Sequence, residues 1–272
     1  MNYRHAFHAG NFADCMKHAM LVWLVRALQH KPAPICVLDT HAGAGSYDLF
    51  AGPAERTGEW RAGIGRLLDD PPQPLVEYVG LVWQLGLYPG SPALIRTLLR
   101  PDDCLACCEL HLEEYTTLRR RFADDAAVAV HRRDAWEALG ALLPLQPRRG
   151  LVLIDPPYEA PDEFDRLAKG LTTGWTRFRT GVFAAWYPIK RRAPVRAFFA
   201  AMWQAGIRDI VAAELLLREP LDPARLNGCG MLVINPPYRF ETDTMPILEA
   251  LLDRLGAREP GEGAEMIRLA DE

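Results

Sequence analysis

Gly150-Leu-Val-Leu-Ile-Asp-Pro-Pro-Tyr158 is the stretch of this 272-residue chain that decides its fold. The run begins with uninterrupted apolar residues, which are typical of a central strand in a parallel sheet because such a strand is buried on both faces. An acid and two prolines then end the run, and proline restricts the backbone and donates no hydrogen bond. The stretch therefore predicts a buried strand that leads into a rigid acidic loop.

Alternating strands and helices surround this run. The predicted strands are Ile35–Asp39, Cys104–Glu109, Ala127–His131, Gly150–Asp155, Gly181–Tyr187, Ile207–Leu217 and Gly230–Asn235. Alternation of strands with helices predicts an α/β protein whose mostly parallel sheet has helices on both faces. The last two predicted strands have no clear helix between them, so we expect a hairpin and an antiparallel last strand. Seven strands with the last one reversed make a Rossmann-like sheet.

One domain accounts for the whole chain, residues 1–272. The segment 47–96, between the first and second predicted strands, does not look like a simple crossover helix, because it is rich in Gly, Pro and Trp and is broken by Pro71-Pro72-Gln73-Pro74. We expect it to form an inserted helical subdomain.

Composition limits the class of protein. Apolar residues make up 49% of the chain and charged residues 24%, which argues against a largely disordered protein. No apolar run approaches the roughly 18 residues of a bilayer-spanning helix, and the first residues lack the apolar core of a signal peptide. We therefore expect a cytoplasmic protein without membrane contact.

Charge and cysteine usage limit the class further. The net charge of −4 argues against a protein that coats nucleic acid non-specifically, although local clusters such as Lys190-Arg191-Arg192 are basic. Cys104, Cys107 and Cys108 have no second ligand pair at the spacing of a zinc site. We expect buried thiols and no metal site.

Acids follow three consecutive predicted strands. They are Asp39, within Asp39-Thr-His-Ala-Gly-Ala-Gly45, then Glu109, then Asp134. Glycines let a backbone approach a ligand closely, and a carboxylate after the second strand can accept hydrogen bonds from both ribose hydroxyls. The pattern favours a cofactor that contains a nucleoside. A dinucleotide enzyme is the alternative, but it would carry G-x-G-x-x-G with an acid about 20 residues later, and this chain does not.

Asp155-Pro156-Pro157-Tyr158 is the predicted catalytic loop. The amino group N6 of adenine is a poor nucleophile because its lone pair is delocalised into the ring. A carboxylate and a fixed backbone carbonyl can accept its two N–H bonds and direct the lone pair at a methyl donor, and Tyr158 offers a ring on which a flipped-out base can stack. Asn235-Pro-Pro-Tyr238 is a similar motif, but it ends the strand expected to run antiparallel. Its position at the opposite edge of the sheet favours a structural role.

The N-terminal segment mixes aromatic and basic side chains. Tyr3-Arg4-His5-Ala-Phe-His8 precedes Asn11, which can cap a following amphipathic helix, and Lys17-His18 lies within that helix. Such interleaving suits base stacking and phosphate contact. A cap folded on the core is an equally good interpretation of the pattern.

These motifs together resemble the RlmJ family of bacterial 23S rRNA (adenine-N6)-methyltransferases over essentially the whole chain. The resemblance rests on the N-terminal segment, Asp39–Gly45, Glu55-Arg-Thr-Gly-Glu59, Tyr88-Pro-Gly-Ser-Pro92, Glu109-Leu-His111 and Arg149–Tyr158. It implies a monomeric Rossmann-like class I methyltransferase that uses S-adenosylmethionine and methylates adenine 2030 (customary rRNA numbering) of free 23S rRNA. Transfer would be direct and in line, onto a flipped-out base.

The resemblance also implies roles for single residues. The implied cofactor contacts are His18, His41, Ser91, Glu109, Asp134, Ala135 and Asp155. The implied catalytic residues are Asp155, Pro156 and Tyr158, and the implied contacts to substrate RNA are Tyr3, His5 and Lys17. Ala135 departs from one relative in this family, which has Gly at the matching position, and a backbone contact would tolerate Ala if φ is negative.

Two other functions stay open from the sequence. Methylation of DNA adenine or of a protein glutamine uses similar D/N-P-P-Y loops. A catalytically inactive RNA-binding module belongs to a different class, and the acids after four strands argue against it because a binder needs no cofactor site.

Overall fold

The structure is a computed structural model that describes residues 4–271. A large sheet lies at its centre. The strands of this sheet, in chain order, are β1 (Cys36–Asp39), β2 (Cys104–Cys108), β3 (Val128–His131), β4 (Gly150–Ile154), β5 (Val182–Ile189), β6 (Ile210–Leu216), β7 (Gly228–Ile234) and β8 (Gly263–Ala270). Two shorter strands, Ser46–Tyr47 and Tyr88–Pro89, form a separate antiparallel ribbon.

Helices cover both faces of the sheet. Within the described residues they are α1 (Phe12–Gln29), α2 (Gly52–Thr57), α3 (Val76–Leu85), α4 (Ser91–Leu98), α5 (Leu112–Arg121), α6 (Ala135–Ala141), α7 (Glu163–Arg177), α8 (Arg192–Gln204) and α9 (Phe240–Leu255). One apolar core holds α1, α4 and α9, and a second holds α6, α7 and α8. Helices on two faces leave the ends of the strands open, and ligands bind at such ends.

The strand order is β8-β6-β7-β5-β4-β1-β2-β3. β1 to β5 run parallel, whereas β7 runs antiparallel to both of its neighbours, β5 and β6. The predicted hairpin and the predicted reversal of the strand before Asn235 are therefore confirmed. Apart from β8, this is the order 3-2-1-4-5-7-6 of a Rossmann-like class I methyltransferase sheet.

The sheet has one strand more than predicted. β8 pairs antiparallel with β6 at the edge of the sheet. Its sequence, Gly263-Ala-Glu-Met-Ile-Arg-Leu-Ala270, does not form the apolar run of a central strand, because an edge strand is only partly covered. The expectation of seven strands missed it for that reason.

Helix α1 brings polar side chains into the interior. Asn11 caps it as predicted, and its side-chain oxygen accepts a hydrogen bond from the Asp14 backbone N–H at 3.0 Å. Asp14, Lys17 and His18 are all buried, although they stand at i, i+3 and i+4 among apolar residues. Buried charges are costly unless they are paired, so this part of α1 points to a functional site.

The segment 47–96 contains α2, α3 and α4 together with short 3-10 turns. The turn Ile64–Arg66 rests on the N-terminal segment, where the Ile64 N–H donates to the Gly10 carbonyl at 2.8 Å. Gly63 allows this approach, because a Cβ there would lie 2.0 Å from the Gly10 oxygen. The segment is thus fastened to the residues that precede α1.

The cysteines differ in part from expectation. Cys107 and Cys108 are buried free thiols, but Cys104 forms a disulfide with Cys36. β1 and β2 pair in a register that places these two residues opposite each other, with their Cα atoms 4.5 Å apart. The expectation of a free thiol at Cys104 was wrong because the sequence does not reveal the register.

Within residues 4–271, His, Cys, Asp and Glu side chains form no cluster of three or more that could hold a metal ion. No helix in the same range is both long and apolar enough to cross a bilayer.

Candidate active site

Two cavities lie at the carboxyl ends of the parallel strands. The first has a volume of about 330 Å³ and the second about 650 Å³. Four side chains line both of them: His5, Lys17, Asp155 and Pro157. The acid of the predicted catalytic loop therefore stands where the two cavities meet.

The first cavity collects every residue that the sequence assigned to the cofactor. Its lining includes His18, His41, Ser91, Glu109, Asp134, Ala135 and Asp155. They come from α1, from the ends of β1, β2 and β4, and from the first turns of α4 and α6. Only the parallel arrangement of the strands brings these distant positions together.

Glu109 is fixed by backbone donors. The Gly43 N–H donates to Oε2 at 2.9 Å, and the His111 N–H donates to Oε1 at 2.7 Å. Each carboxylate oxygen keeps a second lone pair, so the group can still accept from two hydroxyls. Burial raises the pKa of Glu109 above its ordinary value, against the lowering effect of these hydrogen bonds.

Asp134 caps helix α6. Its Oδ1 accepts from the backbone N–H groups of Trp136 at 2.9 Å and Glu137 at 3.2 Å. These bonds hold the carboxylate at the cavity, where its other oxygen can accept from a ligand. Ala135 begins the helix and does not have a positive φ, so the condition for a backbone contact by Ala is met.

Asp39 lies behind the wall of the first cavity and does not line it. It is fully buried and accepts from the Ser91 hydroxyl at 2.6 Å and from the His41 N–H at 3.3 Å. Burial raises its pKa to about 6, although the Ser91 hydrogen bond opposes the shift. The carboxylate thus orients two residues of the cavity.

His41 holds the start of the catalytic loop. Its Nδ1 accepts from the Asp155 backbone N–H at 3.3 Å. Burial lowers the pKa of His41 to about 4, so the ring is neutral near pH 7 and can accept at Nδ1 while it carries a proton at Nε2.

Two further polar side chains line the first cavity. The Nδ1 atom of His111 and the Oε2 atom of Glu114 are buried and have no hydrogen-bond partner among the described residues. Buried polar atoms are nearly always satisfied, so these two indicate a polar ligand in the cavity. The sequence analysis did not single out Glu114.

Asp155 is held by a buried ammonium group. The Lys17 Nζ lies 2.6 Å from Asp155 Oδ2 and 2.9 Å from Asp14 Oδ1, and the Lys17 side chain is only 6% exposed. Burial would lower the pKa of Lys17, but the charges of Asp14 and Asp155 hold it well above its ordinary value. Lys17 therefore stays charged and turns toward the two carboxylates.

Asp14 joins α1 to the N-terminal segment. Its Oδ2 accepts from the Gly10 N–H at 3.0 Å and lies 3.1 Å from Nε2 of His5. Burial opposes its ionisation, and the neighbouring His18, Lys17 and His5 outweigh burial, so the pKa of Asp14 lies well below its ordinary value. Sequence reasoning missed this residue, although an acid three positions before a lysine on one helix was the available signal.

Tyr158 forms part of the wall of the second cavity. Its backbone has a positive φ of 52°, which is uncommon for an aromatic residue. Its hydroxyl donates to the Trp186 carbonyl at 2.9 Å, and its ring centroid lies 5.0 Å from that of Phe164 and 5.8 Å from that of Trp186. The ring is therefore held between Phe164 of α7 and Trp186 of β5.

The N-terminal segment closes the junction between the cavities. The His5 ring lies 5.0 Å from the Tyr47 ring and lines both cavities. His8 pairs with Glu59 at 3.0 Å, so the segment also contacts residues 47–96. Tyr3, the third residue assigned to RNA, lies outside the described residues.

The second Pro-Pro motif lies elsewhere. Asn235 donates from Nδ2 to the carbonyls of Arg179 and Gly181, each at 2.7 Å, just before β5 begins. It therefore stands at the amino end of β5, whereas Asp155 stands at the carboxyl end of β4. Tyr238 is 92% exposed. These contacts agree with the structural role expected for the motif.

Comparison with known proteins gives concordant matches. The family model described as "Ribosomal RNA large subunit methyltransferase D, RlmJ" matches residues 32–267. Ribosomal RNA large subunit methyltransferase J of Escherichia coli is 41% identical over 263 residues, and the protein of the same name from Haemophilus influenzae is 40% identical over 264 residues. Each alignment covers 94% of both chains.

A solved structure agrees over the same length. The crystal structure of a Legionella pneumophila protein superposes with a TM-score of 0.87 at 34% identity. It covers 96% of this chain and 98% of the Legionella chain.

Proposed function

Because the chain belongs to the RlmJ family of ribosomal RNA large subunit methyltransferases, we propose that it methylates N6 of an adenine in 23S rRNA and takes the methyl group from S-adenosylmethionine. The observation that carries the proposal is the place of Asp155 where a polar cavity and an aromatic cavity meet. A group that accepts from N6 has to lie beside the path from the methyl donor to the base, and a carboxylate that lines both cavities meets this requirement.

The first cavity fits S-adenosylmethionine. Glu109 would accept from the ribose hydroxyls, Asp134 from the adenine amino group, and the buried orphan atoms of His111 and Glu114 offer further partners. When bound, this cofactor supplies an electrophilic methyl group that passes directly to N6. His18, His41 and Ser91 line the part of the wall that is contributed by α1, the end of β1 and the start of α4.

The catalytic loop would hold the amino group of the base. The Asp155 carboxylate accepts one N–H bond of N6 and the Pro156 carbonyl accepts the other, which draws the lone pair out of the ring. Lys17 fixes the Asp155 carboxylate from its other side at 2.6 Å. Lys17 is therefore a positioning residue in this proposal rather than a direct contact to RNA.

The second cavity suits a flipped-out adenine. Tyr158, Trp186 and Phe12 contribute aromatic surface to it, and stacking of a base on an aromatic side chain is worth about 1–3 kcal/mol. Because the Tyr158 hydroxyl is bound to the Trp186 carbonyl, the ring would stack without reorienting.

Methyl transfer to three acceptors tests this function. Radiolabelled S-adenosylmethionine is incubated with the protein and with unmodified 23S rRNA, adenine-containing DNA or ribosomal protein. We expect label in 23S rRNA alone, recovered as N6-methyladenine by mass spectrometry. Label in DNA or in protein glutamine would show that DNA or protein, and not RNA, is the substrate. Binding of RNA without any methyl transfer would favour an inactive RNA-binding module.

We further propose that the enzyme acts as a monomer in the cytoplasm on free 23S rRNA rather than on the assembled subunit. The target adenine has to leave its stack and enter a cavity beside Asp155, which is easier before ribosomal proteins cover the RNA. Equal methylation of naked rRNA and of intact 50S subunits would contradict the preference for free RNA.

A further inference from the structure

We propose that Arg66 and Lys190 bind phosphates of the nucleotides that flank the target adenine. Both residues are exposed and both line the second cavity. They come from different elements, since Arg66 belongs to the turn Ile64–Arg66 and Lys190 follows β5. This inference rests on the proposed function, because it assigns the path of the RNA backbone at the same site.

These two cations differ from the others at the cavity. Neither Arg66 nor Lys190 lies within ion-pair distance of a carboxylate in the part of the chain that the structure describes. By contrast, Lys17 is enclosed by two acids, and Arg218 pairs with Glu259 at 3.0 Å. An exposed cation without a carboxylate partner is available to an anion from solution.

The acids that line the cavity already have partners. Asp14 and Asp155 share Lys17, and Glu59 accepts from His8 and Asn11, each at 3.0 Å. The Glu59 hydrogen bond raises the pKa of His8, against the lowering effects of burial and of the charge of Lys190. His8 and Lys190 line the same cavity. The exposed cations Arg66 and Lys190 therefore stay available to an anion, although the whole chain carries −4.

The positions of the two cations are fixed by the fold. The turn that carries Arg66 is bound to Gly10 through the Ile64 N–H at 2.8 Å. The backbone of Lys190 is held in place because its carbonyl oxygen accepts a hydrogen bond from Nδ2 of the buried Asn227 at 2.9 Å. Cations held by two different elements at the wall of a base cavity match a nucleotide whose base enters while its phosphates stay outside.

Charge removal at these positions tests the inference. Arg66→Ala, Lys190→Ala and the double variant are compared with the wild type for Kd and KM toward an unmodified 23S rRNA transcript at several salt concentrations. We expect Kd to rise about fivefold for each single change near 0.1 M salt, and the slope of log K against log salt to become shallower by about 1 for each phosphate that is no longer neutralised. Affinity for S-adenosylmethionine should not change.

Matched variants distinguish phosphate binding at these two positions from a general effect of removing a positive charge. Lys31→Ala removes an exposed cation just beyond the carboxyl end of α1 and should leave Kd unchanged, and Lys190→Arg should retain the wild-type Kd. The inference is overturned if RNA affinity and salt slope stay at wild-type values in the alanine variants, or if Lys31→Ala weakens binding as much as they do. If the wild type transfers no methyl group to rRNA, the proposed function fails instead, so the two failures are distinguishable.

Discussion

Asp155→Asn removes the negative charge of the Asp155 side chain with almost no change of its shape. The amide cannot offer two negative oxygens to N6 and Lys17, so we expect the rate of methyl transfer to fall by about a thousandfold, as for other groups that stabilise charge in a transition state. Affinity for S-adenosylmethionine should fall by less than about tenfold, because six other residues with assigned cofactor roles line the same cavity. Single-turnover transfer and calorimetry measure the two effects separately.

Asp162→Asn is the matched control for this change. Asp162 is exposed, immediately precedes α7 and makes no side-chain cap there, so its amide should leave transfer near the wild-type rate. Turnover of Asp155→Asn within tenfold of the wild type would remove Asp155 from the catalytic role.

Asp39 links the site to the stability of the fold. Its pKa is raised by burial from 3.8 to about 6, so the folded state favours the protonated acid. This favourable contribution of Asp39 to the free energy of unfolding is fully present below about pH 4, and it is lost as the pH rises through about 6. The difference corresponds to about 3 kcal/mol, and Asp39→Asn should remove this dependence.

Urea unfolding at pH 4.5 and pH 7.5 measures the effect of Asp39. We expect the free energy of unfolding of Asp39→Asn, relative to the wild type, to be higher at pH 7.5 than at pH 4.5, by about 2 kcal/mol. Asp102 is exposed, so the free energy of unfolding of Asp102→Asn, relative to the wild type, should be the same at both pH values. A relative stability of Asp39→Asn that falls with pH would contradict the burial argument.

At the scale of elements, the contact between the N-terminal segment and the turn Ile64–Arg66 depends on Gly63. Gly63→Ala would place a Cβ 2.0 Å from the Gly10 oxygen and 2.7 Å from the Asn11 carbonyl carbon, both in backbone. Overpacking of this kind costs about 1–3 kcal/mol, so we expect a Tm lower by several degrees and weaker binding of rRNA, because Arg66 moves with the turn. Calorimetry and RNA binding measure the two results.

Gly80→Ala is the control for that element. Gly80 lies in α3, and a Cβ there would meet no atom within 4 Å. Alanine should therefore stabilise the helix by about 0.5–1 kcal/mol. If Gly63→Ala were as stable as Gly80→Ala, the close contact between the two segments would not exist in solution.

The sequence predicted those elements whose residues carry local information. β4 was predicted because Leu-Val-Leu-Ile is apolar without interruption, and α1 because Asn11 caps a helical repeat. The partnership of Asp14, Lys17 and Asp155 was not predicted, because Asp155 is 138 residues from Lys17 and their contact depends on how α1 packs on the sheet. Side-chain partners across such distances need the tertiary structure.

At the scale of the whole molecule, the two cavities divide the site by chemistry. Backbone donors and acids at the ends of β1, β2 and β4 line the first, whereas the second is lined by three aromatic side chains, Phe12, Tyr158 and Trp186, and by the exposed cations Arg66 and Lys190. The parallel strands bring their carboxyl ends to one edge, so the acids that follow them were predictable as a group. The cations Arg66 and Lys190 could not be predicted in this way, because the segment 47–96 and the sheet approach each other only in the folded chain.

The edge strand β8 offers a last prediction at this scale. A chain ending at residue 260 would lack β8, so the backbone of β6 would lose one of its two antiparallel partners along Ile210–Leu216. Exposed sheet edges pair with other chains, and we expect a lower free energy of unfolding together with concentration-dependent association in sedimentation experiments. Deletion of residue 272 alone should have little effect, because it leaves β8 and the Asp271 carbonyl, which accepts from the Asp209 N–H at 3.0 Å, in place. Every residue assigned to the site precedes residue 191, so the truncation removes none of them. A truncated chain that stays monomeric and is as stable as the full chain would show that the sheet does not need β8.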